Sequence, residues 1–117
     1  MIDLEEIRTF CLSKNGTAEG FPFDEKTLVF KVGGKIYALI DVYELGGINL
    51  KCDPEKAIEL REAYNGIQPG YHMNKKHWNT VSLNSGVSIN LLFELIDHSY
   101  ELVVASLPKK VRYELSH

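Results

Sequence analysis

Apolar positions near the start of the chain recur at helical spacing. Leu4, Ile7 and Cys11 form one stripe over residues 3–14, which predicts an amphipathic helix. Asp3 with Glu6 three residues on makes a capping box, and Ile2 with Ile7 have the spacing of a hydrophobic staple. Asn15-Gly16 supplies the stop. Gly20-Phe21-Pro22-Phe23 reads as a loop whose aromatic rings tuck under a sheet. The period then changes to two: residues 28–32 and 36–42 alternate as strands, with Gly33-Gly34 between them as a two-residue hairpin turn. A third short strand is expected at 48–52, after the Gly46-Gly47 break.

Asp53-Pro54-Glu55 opens a second helix, with a capping residue, proline at the first position and an acid in the first turn. Ala57, Ile58, Leu60 and Tyr64 supply its packing face, and Asn65-Gly66 ends it. Two further strands, roughly 67–73 and 77–83, flank a turn at Asn74-Lys75-Lys76. Asn84-Ser85-Gly86 is a turn, and Ser88 caps a long helix over 89–105 in which Leu92, Leu95, Ile96, Leu102 and Val103 recur at helical spacing. Pro108 breaks it before a short basic tail. The expected order is α-β-β-β-α-β-β-α. Short joins favour an antiparallel sheet with helices on one face, an α+β two-layer sandwich in a single domain over residues 1–117.

A chain of 117 residues, 44% hydrophobic and 25% charged, has the composition of an ordinary globular domain with one core. No apolar run reaches the roughly 18–20 residues of a membrane helix, and the acidic start, Asp3-Leu4-Glu5-Glu6, is unlike a signal peptide. A cytoplasmic protein is therefore expected. Cys11 and Cys52, without CxxC spacing, read as reduced, buried small hydrophobes.

Charge changes the picture through its distribution. The net charge is −3, yet residues 63–93 hold two lysines and no acid. Inside that window lies Pro-Gly-Tyr-His-Met-Asn-Lys-Lys-His-Trp-Asn-Thr-Val, residues 69–81, with two of the four histidines and the only tryptophan. This segment resembles the signature of the MmcQ/YjbR family. The resemblance extends to Phe21-Pro22-Phe23-Asp24, to Val32-Gly33-Gly34-Lys35, and to the run from Leu95 to Val103 through Asp97, His98, Ser99 and Tyr100. It implies an α+β fold related to secretion-chaperone-like and CyaY-like architectures. It also implies DNA binding, through likeness to a double-wing fold, with His72, Asn74, Lys75, His77, Trp78 and Asn79 at the matching positions.

The residues themselves point toward nucleic acid more than toward catalysis. Asn74, Lys75 and Lys76 make a basic turn suited to phosphate. Alternation puts Val81 and Leu83 on one face of their strand and Trp78 and Thr80 on the other. Trp78 is thus free to stack on a base, unless a bulge reverses the strand and places its ring in the core. Tyr71 reads as a core residue. His72 and His77, five apart in a window without acid or cysteine, do not form a metal set. No phosphate loop, nucleophile elbow or zincin pattern is present, so neither enzymatic activity nor a cofactor is expected. The expected function is weak, salt-sensitive DNA binding through His72, Asn74, Lys75, Lys76, His77, Trp78 and Asn79. The alternative is a non-enzymatic, chaperone-like interaction module that holds a partner chain or a second copy, with Val29, Tyr37 and Leu39 joining Trp78 in an apolar patch on the open sheet face.

Overall fold

A computed structural model describes residues 2–84 and 86–116. Ser85, in the turn expected at 84–86, lies outside the described residues. Four helices, α1 (Leu4–Leu12), α2 (Pro54–Ala63), α3 (Ile89–Ala105) and α4 (Lys109–Ser116), accompany six strands. These are β1 (Thr17–Gly20), β2 (Thr27–Val32), β3 (Lys35–Asp41), β4 (Gly47–Lys51), β5 (Ile67–Pro69) and β6 (Trp78–Ser82). The sheet is antiparallel throughout, in the order β1-β2-β3-β4-β6-β5. The α+β class and the helices on one face are as the sequence implied. Two elements are additional: β1, which has no apolar alternation, and α4, which occupies the expected basic tail.

The helical layer forms on the face where Leu28, Phe30, Ile40, Ile48, Leu50 and Val81 project. Ile7 and Cys11 from α1 and Leu92, Leu95, Ile96 and Val103 from α3 are buried against them, and Ala57 of α2 is buried with its carbonyl at Asn79 of β6. The caps work as the sequence indicated. Asp3, Asp53 and Ser88 each accept a hydrogen bond from a backbone N–H of the helix they open.

A bulge at Tyr37 in β3 shapes the core. Pairing of β2 with β3 shifts between Phe30 and Lys31, so both Tyr37 and Ala38 turn toward the helices and are buried. The bulge removes Tyr37 from the β3–β4 ladder, which ends at Ala38 opposite Leu50. The Ser99 hydroxyl of α3 fills the gap: it donates to the Tyr37 carbonyl at 2.6 Å and accepts from the Lys51 N–H at 2.9 Å. A helix hydroxyl thus replaces a rung of the sheet. Its neighbours fasten the helix elsewhere. Asp97 pairs with Lys14, His98 Nε2 accepts from the Asp53 N–H at 3.2 Å, and Tyr100 donates to the Asn15 carbonyl at 2.6 Å. The whole 97–100 run is structural.

The register places two loops at the same end of the sheet. Val32 pairs with Lys35 across the Gly33-Gly34 turn, and Lys51 pairs with Trp78 where loop 70–77 returns. Gly33 and Gly34 have φ of 58° and 80°, as a two-residue hairpin turn requires. At the same end, a Cβ built on Gly33 would lie 2.6 Å from Leu107 Cδ1 and 3.2 Å from Val111 Cγ1, so α4 begins directly against this turn.

Candidate functional site

The signature segment forms a compact loop clamped from both faces of the sheet. β5 stops at Pro69 because the chain turns immediately afterwards, and the strand expected to reach residue 73 does not continue. The last ladder bond runs from the Gly70 N–H to the Trp78 carbonyl at 2.9 Å. The Met73 N–H then donates back to Gly70 O, and His72 takes the left-handed conformation at φ 58°. That conformation is uncommon outside glycine, though histidine adopts it more readily than most residues.

On the open face, Thr80 Oγ1 accepts the Tyr71 N–H at 2.9 Å and donates to Asn49 Oδ1, while Asn49 Nδ2 donates to the Tyr71 carbonyl at 3.4 Å. On the helical face, Arg61 of α2 donates from Nε to Asn79 Oδ1 at 2.7 Å and from Nη2 to the carbonyls of Lys75 and Trp78. Arg61 had no signal in the sequence. Only the antiparallel return of β6 beside α2 brings it under the loop.

The expected site residues separate into two groups. Asn79 is a correction: it is 2% exposed, faces the helices, and binds Arg61 and the Ala57 carbonyl, so it is closed to any ligand. Asn74 caps the turn by accepting the Lys76 N–H at 2.9 Å, and Lys75 folds back to donate from Nζ to Gly70 O at 3.0 Å. The His77 backbone is held by the Cys52 N–H, which donates to its carbonyl at 2.8 Å. His72 and Lys76 are exposed, whereas His77 and Trp78 are half-buried.

The alternation in β6 is regular, so no bulge carries Trp78 into the core. It lies on the face opposite Asn79 and Val81, beside its register partner Lys51. Tyr71 is another correction. It is 69% exposed rather than core, and its ring lies against His72 with centroids 4.0 Å apart and planes tilted by 51°.

Of the apolar patch expected around Trp78, Val29 and its register partner Leu39 do share the open face, but Tyr37 does not. The bulge sends Tyr37 into the core, where it meets Tyr100 edge-on and hydrogen-bonds the Cys11 carbonyl. Val29 does face the open side, but it is buried in a groove shared with Phe21 and Pro22. Those aromatics do not tuck away either, with Phe21 48% and Phe23 66% exposed.

The thiols are set by burial. Desolvation pushes Cys11 up to about 12 and Cys52 up to about 11, the opposite of an activated nucleophile. Among the described residues, no three or more His, Cys, Asp or Glu side chains gather as a metal site. Nor is any described helix long and apolar enough to cross a membrane.

What the loop presents is an exposed pair of tilted rings, a half-buried tryptophan and Lys51, Lys75 and Lys76, at the edge of the sheet face that no described helix covers. The six-stranded α+β domain belongs to a class found beyond this chain. Residues 12–102 match the sequence model of the YjbR family, and the chain belongs to that family. It is 47% identical over 93 residues to the uncharacterized protein YbdF of Escherichia coli O157:H7, covering 77% of this chain and 75% of that one. It is 31% identical over 110 residues to the uncharacterized protein YjbR of Escherichia coli K12, covering 93% of each. The crystal structure of Deinococcus radiodurans protein DR2400, a DUF419 domain, superimposes with a TM-score of 0.92 at 44% identity, over 99% of this chain and 89% of that one.

Proposed function

We propose that the protein binds nucleic acid, DNA in the first instance, on loop 70–77 and the adjoining open face of the sheet, without catalysing a reaction. One observation supports this most: the exposed Tyr71–His72 ring pair is tied through the Tyr71 backbone to Thr80 and Asn49, on the same open face as Trp78 and Lys51 and in the same loop as Lys76. Aromatic rings stack on bases for about 1–3 kcal/mol each, whatever the sequence, and ammonium groups alongside take phosphate. Because the clamp orders the loop before binding, little conformational entropy remains to be lost on association.

The test is a titration of intrinsic fluorescence with DNA oligonucleotides, single-stranded and duplex. Trp78, the only tryptophan, reports this loop directly. Each phosphate contact adds about 0.9 to the salt slope on duplex, so three contacts weaken binding at least roughly 40-fold between 50 and 200 mM salt. Lys51→Ala with Lys76→Ala flattens that slope by about two units, and Tyr71→Ala weakens binding without altering the slope. An unchanged Trp78 spectrum and no retained oligonucleotide at 50 mM salt, with folded protein, would overturn the proposal.

A further inference from the structure

The net charge of −3 conceals a segregation that the sheet register reveals. Glu5, Glu6, Asp24, Glu25 and Glu44 sit at or near the end of the sheet marked by the β1–β2 and β3–β4 connections and the start of α1. The opposite end carries loop 70–77, the Gly33-Gly34 turn and the start of α4. There Lys109, Lys110 and Arg112 stand at the start of α4, which packs on the Gly33-Gly34 turn through Val111, and Lys35 Nζ is 3.5 Å from Ser106 Oγ at the α3–α4 junction. Among the described residues none of these four cations is in an ion pair, and neither is Lys75 or Lys76. The acids at this end are Asp53, Glu55, Asp97, Glu101 and Glu114, and Asp97 is already taken by Lys14.

We infer that the N-terminal turn of α4 and the β2–β3 turn form a second phosphate-contacting point, built from Lys35, Lys109, Lys110 and Arg112, for the nucleic acid held at loop 70–77. The inference rests on the proposed nucleic-acid binding and adds its footprint. The midline of the β2–β3 hairpin lies three strand spacings from that of β5–β6, or about 14 Å at ~4.8 Å per strand. That is about four base-pair steps along the axis of a duplex at ~3.4 Å each. One backbone laid across this end of the sheet reaches both points.

α4 suits the role because its packing is separate from its charge. Val111 meets Gly33 and Leu115 meets Gly16, while Lys109, Lys110 and Arg112 are exposed. With both points engaged, the salt slope on duplex DNA rises from about 2.7 toward about 6.

The experiment measures that slope by Trp78 fluorescence for wild type, the Lys109→Ala/Lys110→Ala/Arg112→Ala variant, and Lys35→Ala. The expected result is an intact Trp78 signal at low salt with a slope shallower by about two to three units in the triple variant and about one in Lys35→Ala. Wild-type binding with slopes unchanged in both variants overturns the second contact while leaving the loop site standing. No wild-type binding at all removes the loop site, and the second contact with it. If the triple variant loses helix by circular dichroism, Lys35→Ala and Lys109→Ala singly decide the matter, each expected to flatten the slope by about one unit.

Discussion

Removing Arg61 should release the loop from the helical face and cost a large fraction of the stability of a domain this size. Its guanidinium serves three acceptors: Asn79 Oδ1 at 2.7 Å, Trp78 O at 3.3 Å and Lys75 O. Lys75 is exposed, so water can replace arginine at its carbonyl. Asn79 is buried, and truncation leaves its carboxamide oxygen without a donor. An orphaned buried acceptor costs about 1–3 kcal/mol, and a hydrogen bond from a charged donor contributes about 1.5–3. Arg61→Ala should therefore lose about 2–4 kcal/mol in urea unfolding followed by circular dichroism. Arg61→Lys should recover little, because one ammonium group cannot span acceptors arranged for a planar fork. In the double-mutant cycle with Asn79→Ala, the coupling should be about 1–2 kcal/mol, since removing both partners removes the orphan. A loss below about 0.5 kcal/mol for Arg61→Ala, or additive effects in the cycle, would refute the clamp.

Three other outcomes follow from particular contacts. Ser99→Ala should cost about 2–3 kcal/mol of unfolding free energy by leaving the Tyr37 carbonyl and the Lys51 N–H unpaired, and faster amide exchange at Lys51 would locate the loss. Gly33→Ala combines a left-handed φ with a Cβ 2.6 Å from Leu107, so a loss of about 2–4 kcal/mol is expected in thermal melts, with Gly34→Ala, in open space, losing less. His98 is held below its usual 6.5, chiefly by burial, with Lys56 adding to the effect. Its neutral form is the one that accepts from Asp53. The stability it contributes is therefore present above about 6.5 and declines as pH falls below that value, so chemical denaturation at pH 5–7.5 should show a slope that His98→Gln removes.

The architecture was legible where a local rule and the global fold agree. Caps at Asp3, Asp53 and Ser88, the Gly33-Gly34 turn and the apolar stripe of α3 each mark an element that the structure contains. β1 was not legible because Thr17–Gly20 owes its conformation to the free edge of β2 and to the Arg8–Glu19 ion pair, neither of which leaves a periodic trace. α4 carries only the Val111–Leu115 pair as a helical signal, too little to distinguish it from a tail. In the candidate site, the face of Trp78 followed from simple alternation. Asn79 and Tyr71 exchanged the positions expected of them for tertiary reasons: β6 needs a polar partner for Arg61, and the left-handed His72 swings Tyr71 outward. Tyr37 shows the same limit, since a bulge in β3 flips one side chain without any glycine to announce it.

The outer edge of β5 has a consequence for how copies of this chain meet. Gly66, Gln68 and Gly70 direct their backbone groups toward β6, as the Ser82–Gly66 and Gly70–Trp78 bonds show. The groups pointing away belong to Ile67 and Pro69. The Ile67 N–H is already given to the Tyr64 carbonyl, and proline has no N–H. This edge therefore offers acceptors but no donor, and a further strand from another molecule cannot build a ladder there. A sheet with one bare face would otherwise be at risk of growing sideways into aggregates. Here extension is blocked at β5, so the bare face can be exposed without inviting strand addition at this border.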